Sequence, residues 1–448
     1  MAKQRRGKAQ APFAMSSGAT NTLPSTTRAP LFIFGTTTPL WQLDATNTLP
    51  QLPQDVINNI IDHLYDKPVD LRVSSLVAKS WKTRSQSHLF REVFWTPETV
   101  SGWCEHIPPR SDGLAGYTTY LDVISLLEWD ILAPIKDYFT SFRNVTSLTL
   151  RDLDFDDPVF DPNKVPAYFG HLKPGLTSLT LINANGSCGR LLSFTSFFPH
   201  LEHITISCPG ELVPPDPTID LEYRPLRGTL FLRGHLNRHT NLIKLLSRAP
   251  PPQWHTIRLE HWGKMHVEDL NSLLTSCSKS LEILGVSACR GGRFNPVPRL
   301  IRLQTDTDGA EEPFSRLRPN FSLCPRLTEL RVELQHIGAN PPNLINTLLI
   351  SPVVLSRITF TIRRRVEPED IILFVKTWAE TDITIARFST KLFRRNGGKR
   401  LLLTFRAIRA LDFTPLIPFS IERGVEVAVE RDDDEELAFS SCVSCEME

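Results

Sequence analysis

The 448-residue chain lacks the features by which several protein classes are recognised. It contains no apolar run near the ~18 residues that a membrane-spanning helix requires. Its N-terminus has no compact apolar segment of the kind that directs secretion. Its 50 Lys and Arg residues nearly balance its 49 Asp and Glu residues, so the overall charge calls for no polyanionic partner. The sequence therefore favours a protein of the cytoplasm or nucleus that has no membrane partner.

Motifs of the common catalytic mechanisms are also missing. The chain has no G-x-S-x-G elbow, no phosphate-binding glycine loop and no H-E-x-x-H zinc motif. His235 and His239 stand four residues apart, as on one helical face, but no third ligand accompanies them, and Cys442 with Cys445 makes at most half of a zinc site. The eight cysteines have no framework spacing. We expect reduced thiols, no metal, no cofactor and no enzymatic activity.

The two ends of the chain differ in composition from the rest. Residues 1–50 are rich in Ser, Thr, Ala and Pro, and their first acidic residue is Asp44. Such a segment buries too little apolar surface to order itself, which predicts a disordered basic leader. A transit peptide or a nuclear address in KQRRGK are the alternatives. Residues 428–448 contain the run RDDDEE and are predicted to form an acidic flexible tail.

Residues 51–96 carry the pattern of a small helical domain. In LPQDVINNIIDHL, five apolar residues from Val56 onward fall at offsets 0, 1, 4, 5 and 8, as on one helical face. After a break at DKPVD, Val73, Leu76, Val77 and Trp81 repeat at offsets 0, 3, 4 and 8. The segment SHLFREVFW adds a third short element.

The order of residue types in this block resembles the F-box, and SLVAKSWKTRSQSHLFREV is its most specific part. The resemblance implies three small helices that interlock with a Skp-type adaptor, which in turn joins a cullin scaffold. Carried over position by position, it implies that the adaptor contacts and the packing behind them come from Leu52, Pro53, Ile57, Ile60, Leu64, Leu76, Val77 and Trp81. The alternative is a helical hairpin that packs on its own protein.

A second pattern, with apolar residues at offsets 0, 3 and 5, recurs between residues 145 and 360. The central residues of its copies are Leu148, Leu179, Ile204, Leu230, Ile257, Leu284, Leu330 and Ile358. Helical segments separate them, and the spacing resembles that of irregular leucine-rich repeats. The Asn or Cys that this family usually has is matched only by Cys289. The longest interval contains residues 290–323, which are either a surface loop or a degenerate repeat.

We therefore predict an α/β fold in which a small N-terminal helical F-box is followed by an irregular leucine-rich-repeat-like solenoid over residues 97–427. Because strand side chains alternate between faces, the residues between the buried ones are expected on the concave side. The residues predicted to contact a protein ligand there are Thr149, Arg151, Thr180, Thr205, Arg258, Glu260, Arg331, Glu333 and Thr359.

The resemblance implies the substrate-recognition subunit of a cullin-RING ubiquitin ligase. Its partners would be a Skp-type adaptor, through it a cullin, and an unidentified substrate protein. One alternative is a leucine-rich-repeat scaffold outside any ligase. The other is a nucleic-acid-binding protein that uses Arg363–Arg365 and Lys391–Arg400, which the lack of interleaved base-stacking aromatics disfavours.

Overall fold

The computed structural model describes residues 52–107, 109, 113–125, 135–214, 224–234, 236–248, 252–260, 267–288, 321–334, 355–362, 366, 368–395, 400–408 and 411–431. The leader at 1–50, residues 290–320, Arg363–Arg365 and the pair Cys442 and Cys445 lie outside these ranges. Residues Gln54–Glu448 make one compact unit, and of the unit Met1–Pro53 only Leu52 and Pro53 are described.

Strands and helices alternate along most of the described chain. The strands are β1 Glu92–Trp95, β2 Tyr120–Ile124, β3 Ser147–Asp154, β4 Ser178–Asn185, β5 His203–Ser207, β6 Arg227–Arg233, β7 Gln253–Leu259, β8 Ile283–Ala288, β9 Glu329–Leu334, β10 Arg357–Ile362, β11 Leu402–Ala407 and β12 Glu426–Arg431. The helices are α1 Gln54–Asp62, α2 Pro68–Val77, α3 Lys79–Leu89, α4 Pro97–His106, α5 Val165–Phe169, α6 Cys188–Ser196, α7 Thr240–Arg248, α8 Val267–Ser276, α9 Pro368–Arg395 and α10 Pro418–Glu422.

The twelve strands of the described residues form one parallel sheet in sequence order, so each strand pairs with its neighbours in the sequence. This topology confirms the α/β class and is compatible with a solenoid-like arrangement. The central apolar residues of the predicted copies pair with one another, for example Leu148 with Leu179 and Leu284 with Leu330. They form one continuous row across the sheet, which we call the apolar ladder.

Four strands, β1, β2, β11 and β12, were not among the predicted copies. In β2 the first position of the pattern is the polar residue Thr118 in place of an apolar one, so the pattern did not reveal this strand. Strand β1 lies inside the segment 51–96, although it pairs with β2 and is part of the sheet. Strand β12 continues to Arg431, so the predicted start of the tail at residue 428 is corrected to a later position.

A long interval separates Leu284 from Leu330 in the sequence, yet the strands that carry them are neighbours in the sheet. Strands β8 and β9 pair directly over six residues. This pairing leaves no place for a strand between β8 and β9. Of the segment predicted to be a surface loop or a degenerate repeat, residues 290–320 lie outside the described residues.

One continuous apolar core lies between the sheet and the connecting helices. The apolar ladder supplies one side, and buried residues such as Leu191 in α6, Leu242 in α7 and Leu273 in α8 supply the other. At the position where leucine-rich repeats usually have Asn or Cys, β3 and β4 have Leu153 and Ala184, which pair and are buried. Apolar packing takes the place of a side-chain hydrogen-bond ladder there.

The C-terminal end of the core depends on one buried carboxylate. Asp382 in α9 is fully buried and accepts hydrogen bonds at 2.8 Å from the backbone N–H groups of Phe419 and Ser420. It also accepts one from the Ser420 hydroxyl. Because the first N–H groups of a helix have no partner within the helix, Asp382 both satisfies α10 and fastens it to α9.

We predict that Asp382→Ala destabilises this end of the protein by about 2–4 kcal/mol, because it leaves buried donors without an acceptor. Asp412 is the matched control, since it accepts from Thr414 in the same way but at an exposed site. Asp412→Ala should cost only about 0.5–1 kcal/mol. Urea unfolding followed by tryptophan fluorescence measures both, and equal losses would contradict the role given to Asp382.

Candidate functional site

The three helices at the start of the described chain pack around a small core of their own. Ile57, Ile61 and Leu71 are buried there, and Leu64 and Trp81 cover them. Leu89 at the end of α3 also packs against this core and against the main core of the sheet. We call α1, α2 and α3 the helical block.

A charged cluster joins the first and third helices of this block. Arg84 donates two hydrogen bonds to Asp62, at 2.6 and 2.7 Å, and His88 Nε2 lies 2.7 Å from Asp62 Oδ1. These hydrogen bonds, first from Arg84 and then from His88, lower the pKa of Asp62 to about 2. The ionised carboxylate is therefore the form that holds α1 against α3.

The residues predicted to contact an adaptor fall into two groups in the structure. Ile57 is buried and Leu64 and Trp81 are half-buried, so these three form the packing behind the surface. The exposed members of the set are Leu52, Pro53, Ile60, Leu76 and Val77. Leu76 is the most exposed of the apolar side chains in the helical block, at 85%.

Several exposed apolar residues of the block were not among those predicted to contact an adaptor. They are Val56, Tyr65, Val69 and Val73. Val69, Val73 and Leu76 follow the i, i+4, i+7 spacing of one helical face, and this face of α2 is turned away from the buried Leu71. We call Val56, Ile60, Tyr65, Val69, Val73, Leu76 and Val77 the apolar surface. The helical spacing could be read from the sequence, but the sequence did not show which face of each helix would be buried.

The predicted helix that joined Val73 to Trp81 is corrected by the structure. Ala78 has an extended backbone, with φ −156° and ψ 159°, so α2 ends at Val77 and α3 begins at Lys79. Trp81 consequently points into the small core, whereas Val73, Leu76 and Val77 remain outside it.

The helical block is continuous with the sheet, without an intervening linker. The backbone carbonyl of Arg91 accepts hydrogen bonds from the N–H groups of Thr119 and Tyr120, at 2.9 and 3.1 Å. The buried Thr118 hydroxyl donates to the carbonyl of Phe90 at 2.9 Å. These bonds hold the end of α3 and the start of β1 against the strand that follows.

The sheet face opposite the helices carries polar residues in register. We call it the polar face. At its start, Asp122 is 1% exposed and receives three hydrogen bonds from Arg151, at 2.8 to 3.1 Å. This contact raises the pKa of Arg151. A buried carboxylate with a bidentate arginine is a fixed part of the surface, because separating the pair would leave a charge without a partner.

In the middle of the polar face, Arg258 reaches across a neighbouring strand. It lies over the ring of Phe231 at 5.0 Å from the centroid and donates to Glu333, which is two strands away. Gly285 occupies the position between Arg258 and Arg331 in the paired row. A Cβ at Gly285 would lie 3.0 Å from Arg258 Cγ, so the absence of a side chain there leaves room for the bridge.

Next to this bridge, Glu329 gathers further polar groups. It accepts from Arg331 at 2.8 Å and from the Thr359 hydroxyl at 3.1 Å. Burial raises the pKa of Glu329, but the hydrogen bonds and charge of Arg331 outweigh this effect, and its pKa lies below the usual value. The charged residues in this part of the face are therefore paired with each other.

The prediction that all nine alternating residues line an accessible surface is wrong for two of them. Thr149 and Thr359 are buried, because Tyr120 and Glu329 respectively hydrogen-bond to their hydroxyls and cover them. The other seven are half-buried, and they are Arg151, Thr180, Thr205, Arg258, Glu260, Arg331 and Glu333.

Sequence reasoning missed Asp122, Phe231 and Glu329 on this face. Phe231 lies between Leu230 and Leu232, and Glu329 directly precedes Leu330. The alternation of side chains in these predicted strands therefore places both residues on the polar face. Asp122 was missed because strand β2, which contains it, was not predicted.

The other candidate sites contain no cluster of ligands in the described residues. His239 is buried and its Nε2 lies 2.9 Å from the carbonyl oxygen of Arg233, while His235 lies outside the described ranges. No group of three His, Cys, Asp or Glu side chains in those ranges is placed to hold a metal ion. The described cysteines have free thiols, and burial raises the pKa of Cys188 to about 11.

Two further features concern membranes and nucleic acid. None of the helices in the described ranges combines the length and hydropathy that a membrane crossing needs. Of the basic clusters, Arg363–Arg365 lies outside these ranges, and residues 391–395 form the last turn of α9.

Comparison with known proteins returned no match, either to a family model or to a curated protein.

We predict that Asp62→Asn weakens the helical block at neutral pH and removes part of its pH dependence. Because folding lowers the pKa of Asp62 from 3.8 to about 2, its contribution is complete above the unfolded value and is lost as pH falls through 3.8 towards 2. The stability difference between wild type and Asp62→Asn should therefore be largest near pH 6 and shrink by pH 3. Urea unfolding at both pH values measures it, and a constant difference would contradict the prediction.

Proposed function

We propose that this chain is the substrate-recognition subunit of an SCF-type cullin-RING ubiquitin ligase, in which the helical block is an F-box. The block would bind a Skp-type adaptor, and the polar face of the sheet would hold a substrate protein. The chain itself would supply no catalytic group. The observation that carries this proposal is the apolar surface of the helical block, together with the F-box-like order of its residues.

The apolar surface supports binding to a protein because the block is poorly buried by itself. Its own core has three fully buried apolar residues, whereas seven apolar side chains are exposed around it. Monomeric proteins seldom expose apolar residues in contiguous patches, and such patches commonly mark interfaces. A partner that covers the apolar surface would complete the core of the block.

The composition of this surface also favours a protein partner over a charged ligand. Between Val56 and Val77, exposed apolar residues are concentrated on α1, α2 and the turn between them. The charged cluster of Asp62, Arg84 and His88 lies between α1 and α3 and is already paired. Apolar residues at the centre of a contact and charged residues at its rim are the usual arrangement of a protein–protein interface.

The continuity between the helical block and the sheet supports the second half of the proposal. Leu89 packs against both cores, and the carbonyl oxygens of Phe90 and Arg91 accept hydrogen bonds from residues at the start of β2. A substrate bound to the sheet would therefore keep a fixed position relative to a bound adaptor. Such positioning raises the effective concentration of the substrate at the ubiquitin-carrying enzyme.

The body fits an irregular leucine-rich-repeat solenoid as its finer description. In the described part of the chain, a helix lies between most pairs of consecutive strands, and the apolar ladder repeats once per strand. Stacked repeats of this kind present one extended face to ligands. The polar face offers hydroxyl groups such as Thr180 and Thr205 and fixed ion pairs such as Arg258 with Glu333, which suit hydrogen bonding to a protein.

A scaffold of the same architecture outside a ligase is the main alternative. It requires the apolar surface of the block to have another partner, so adaptor binding separates the two functions. Nucleic-acid binding through residues 391–395 would instead weaken steeply with salt.

We predict that Leu76→Glu abolishes co-purification of the full chain with a co-expressed Skp-type adaptor. Leu76 is 85% exposed, so the charge should leave the fold intact while it opposes burial in an apolar interface. The affinity should fall roughly 30-fold or more, as for an interface hot spot. Pull-down followed by calorimetry on the purified pair measures it.

The matched control is Ile372→Glu, because Ile372 is also an exposed apolar residue of a helix, at 75%, but belongs to α9. It should bind the adaptor as wild type does. Trp81→Ala provides the second comparison, since Trp81 packs against the small core and its loss should unfold the block. Failure of the wild-type chain to bind any Skp-type adaptor, or equal binding by Leu76→Glu, would overturn the proposal.

A further inference from the structure

The C-terminal half of α9 carries a row of cations on its outer surface. Arg387, Lys391 and Arg394 are exposed and follow the i, i+4, i+7 spacing of one helical face. The opposite face of the helix is fixed in the main core by buried residues such as Phe388 and Leu392. We call the three cations the basic stripe, which spans about 10 Å along the helix axis.

The basic stripe has no counter-charge in the part of the chain that the structure describes. No described carboxylate forms an ion pair with any of its three side chains. On α9 itself the nearest carboxylates along the sequence are those of Glu380 and Asp382. Asp382 is occupied by the backbone of α10, and Glu380 lies about 10 Å from Arg387 along the helix axis.

The segments that flank α9 in the sequence add positive charge and little negative charge. Residues 383–411 contain eight Lys or Arg residues and no Asp or Glu. Residues 334–366, which precede α9, contain four Arg residues and no Asp or Glu. Between β11 and β12 there are two carboxylates, of which Asp412 accepts from Thr414 and Glu422 directly precedes Arg423. The repeats on either side therefore leave the basic stripe without neutralisation.

The spacing of the stripe makes its charges repel one another. Like charges three or four residues apart on a helix destabilise it. The negative end of the helix dipole compensates cations only in the last turn, whereas Arg387 lies two turns before the end of α9 at Arg395. A ligand that relieves this repulsion must carry several negative charges over about 10 Å.

We propose that the basic stripe is a docking surface for an acidic segment of a partner protein. Carboxylates three or four residues apart on a helical segment match the spacing of the three cations. An anionic membrane is a poorer fit, because the apolar face of α9 is buried in the core and cannot enter lipid. Nucleic acid is also a poorer fit, because the exposed Phe393 lies about 100° around the helix from Arg394 and leaves the stripe without a base-stacking ring.

The test uses the full-length chain and a fluorescent helical peptide of Glu and Ala, in which Glu recurs at every third or fourth position. Binding is followed by fluorescence anisotropy at low salt. The same peptide with Gln in place of Glu controls for shape and helicity. We expect the Glu peptide to bind at least about tenfold more tightly than the Gln peptide, since three exposed ion pairs add up to roughly this factor.

A triple variant removes the stripe and leaves the buried face of α9 intact. Arg387→Gln, Lys391→Gln and Arg394→Gln together should weaken the Glu peptide about tenfold. Its urea midpoint should stay unchanged or rise, because the repulsion within the helix is gone.

The matched control removes the same charge from exposed lysines of other helices. It combines Lys79→Gln and Lys82→Gln in α3 with Lys244→Gln in α7, and it should bind the Glu peptide as wild type does. Equal weakening in this control would show attraction by net charge alone and would overturn the proposal.

A charge reversal tests the stripe by a gain of binding. Arg387→Glu, Lys391→Glu and Arg394→Glu together should lose the Glu peptide and bind a Lys and Ala peptide of the same spacing. If the Gln variant lowers the urea midpoint, this reversal decides, because a new specificity cannot come from lost structure. Absence of that gain rejects the proposal.

Other occupants of the stripe are further outcomes that would overturn the proposal. Undiminished binding by the Gln variant, or no binding of the Glu peptide by wild type, rejects a docking surface. Tighter binding of single-stranded DNA or of phosphatidylserine vesicles through the same three cations would assign the stripe to those ligands. A full-length chain with Asp432–Glu436 changed to Asn and Gln tests an intramolecular occupant, and tenfold tighter peptide binding there would contradict a partner protein. The inference does not depend on the function of the helical block.

Discussion

The structure depends on the apolar ladder, the row of apolar residues that pair across the parallel sheet. Val93, Leu121, Leu148 and Leu179 begin the row, and Leu403 and Val427 end it. Because a one-residue shift in any strand would turn its apolar residues to the polar face, the ladder sets the register of every neighbour. The helices between the strands cover the apolar side of the sheet. The alternate residues of each strand point to the opposite side and form the polar face.

The helical block is the part of the described chain that the ladder does not explain. It is attached to the sheet through Leu89, Phe90 and Arg91, yet its own core is small and most of its other apolar residues face outward. The charged cluster at Asp62 holds α1 against α3, and none of the other described residues covers the apolar surface, which supports the proposal that another molecule does. This contrast between a self-sufficient sheet and an incomplete block is the physical basis of the adaptor hypothesis.

The fold could be predicted where a repeated pattern gave independent copies of the same signal. Eight of the strands followed from apolar residues at offsets 0, 3 and 5, because eight similar segments are hard to produce by chance. Strand β2 could not be found in this way, since Thr118 replaces the first apolar residue. The break at Ala78 was also hidden, because it depends on packing: Trp81 enters the small core while Val77 stays outside.

The polar face was predicted in outline, whereas its contacts were not. Alternation placed Arg258 and Glu333 on the same face, but the ion pair between them crosses β8 and depends on Gly285. Likewise, the burial of Thr149 follows from Tyr120 on a strand that the repeat pattern did not reveal. Contacts between side chains on different strands can be predicted only when the pairing register is known. The register can be worked out from the sequence only after every strand has been identified.

Hydrogen exchange of the full chain, with and without a saturating Skp-type adaptor, is the most direct test of the central claim. The account predicts that the adaptor slows exchange in α1 and α2, where the apolar surface lies, and leaves β10, β11 and β12 unchanged. Unchanged exchange in both helices, or slowing confined to the sheet, would contradict it.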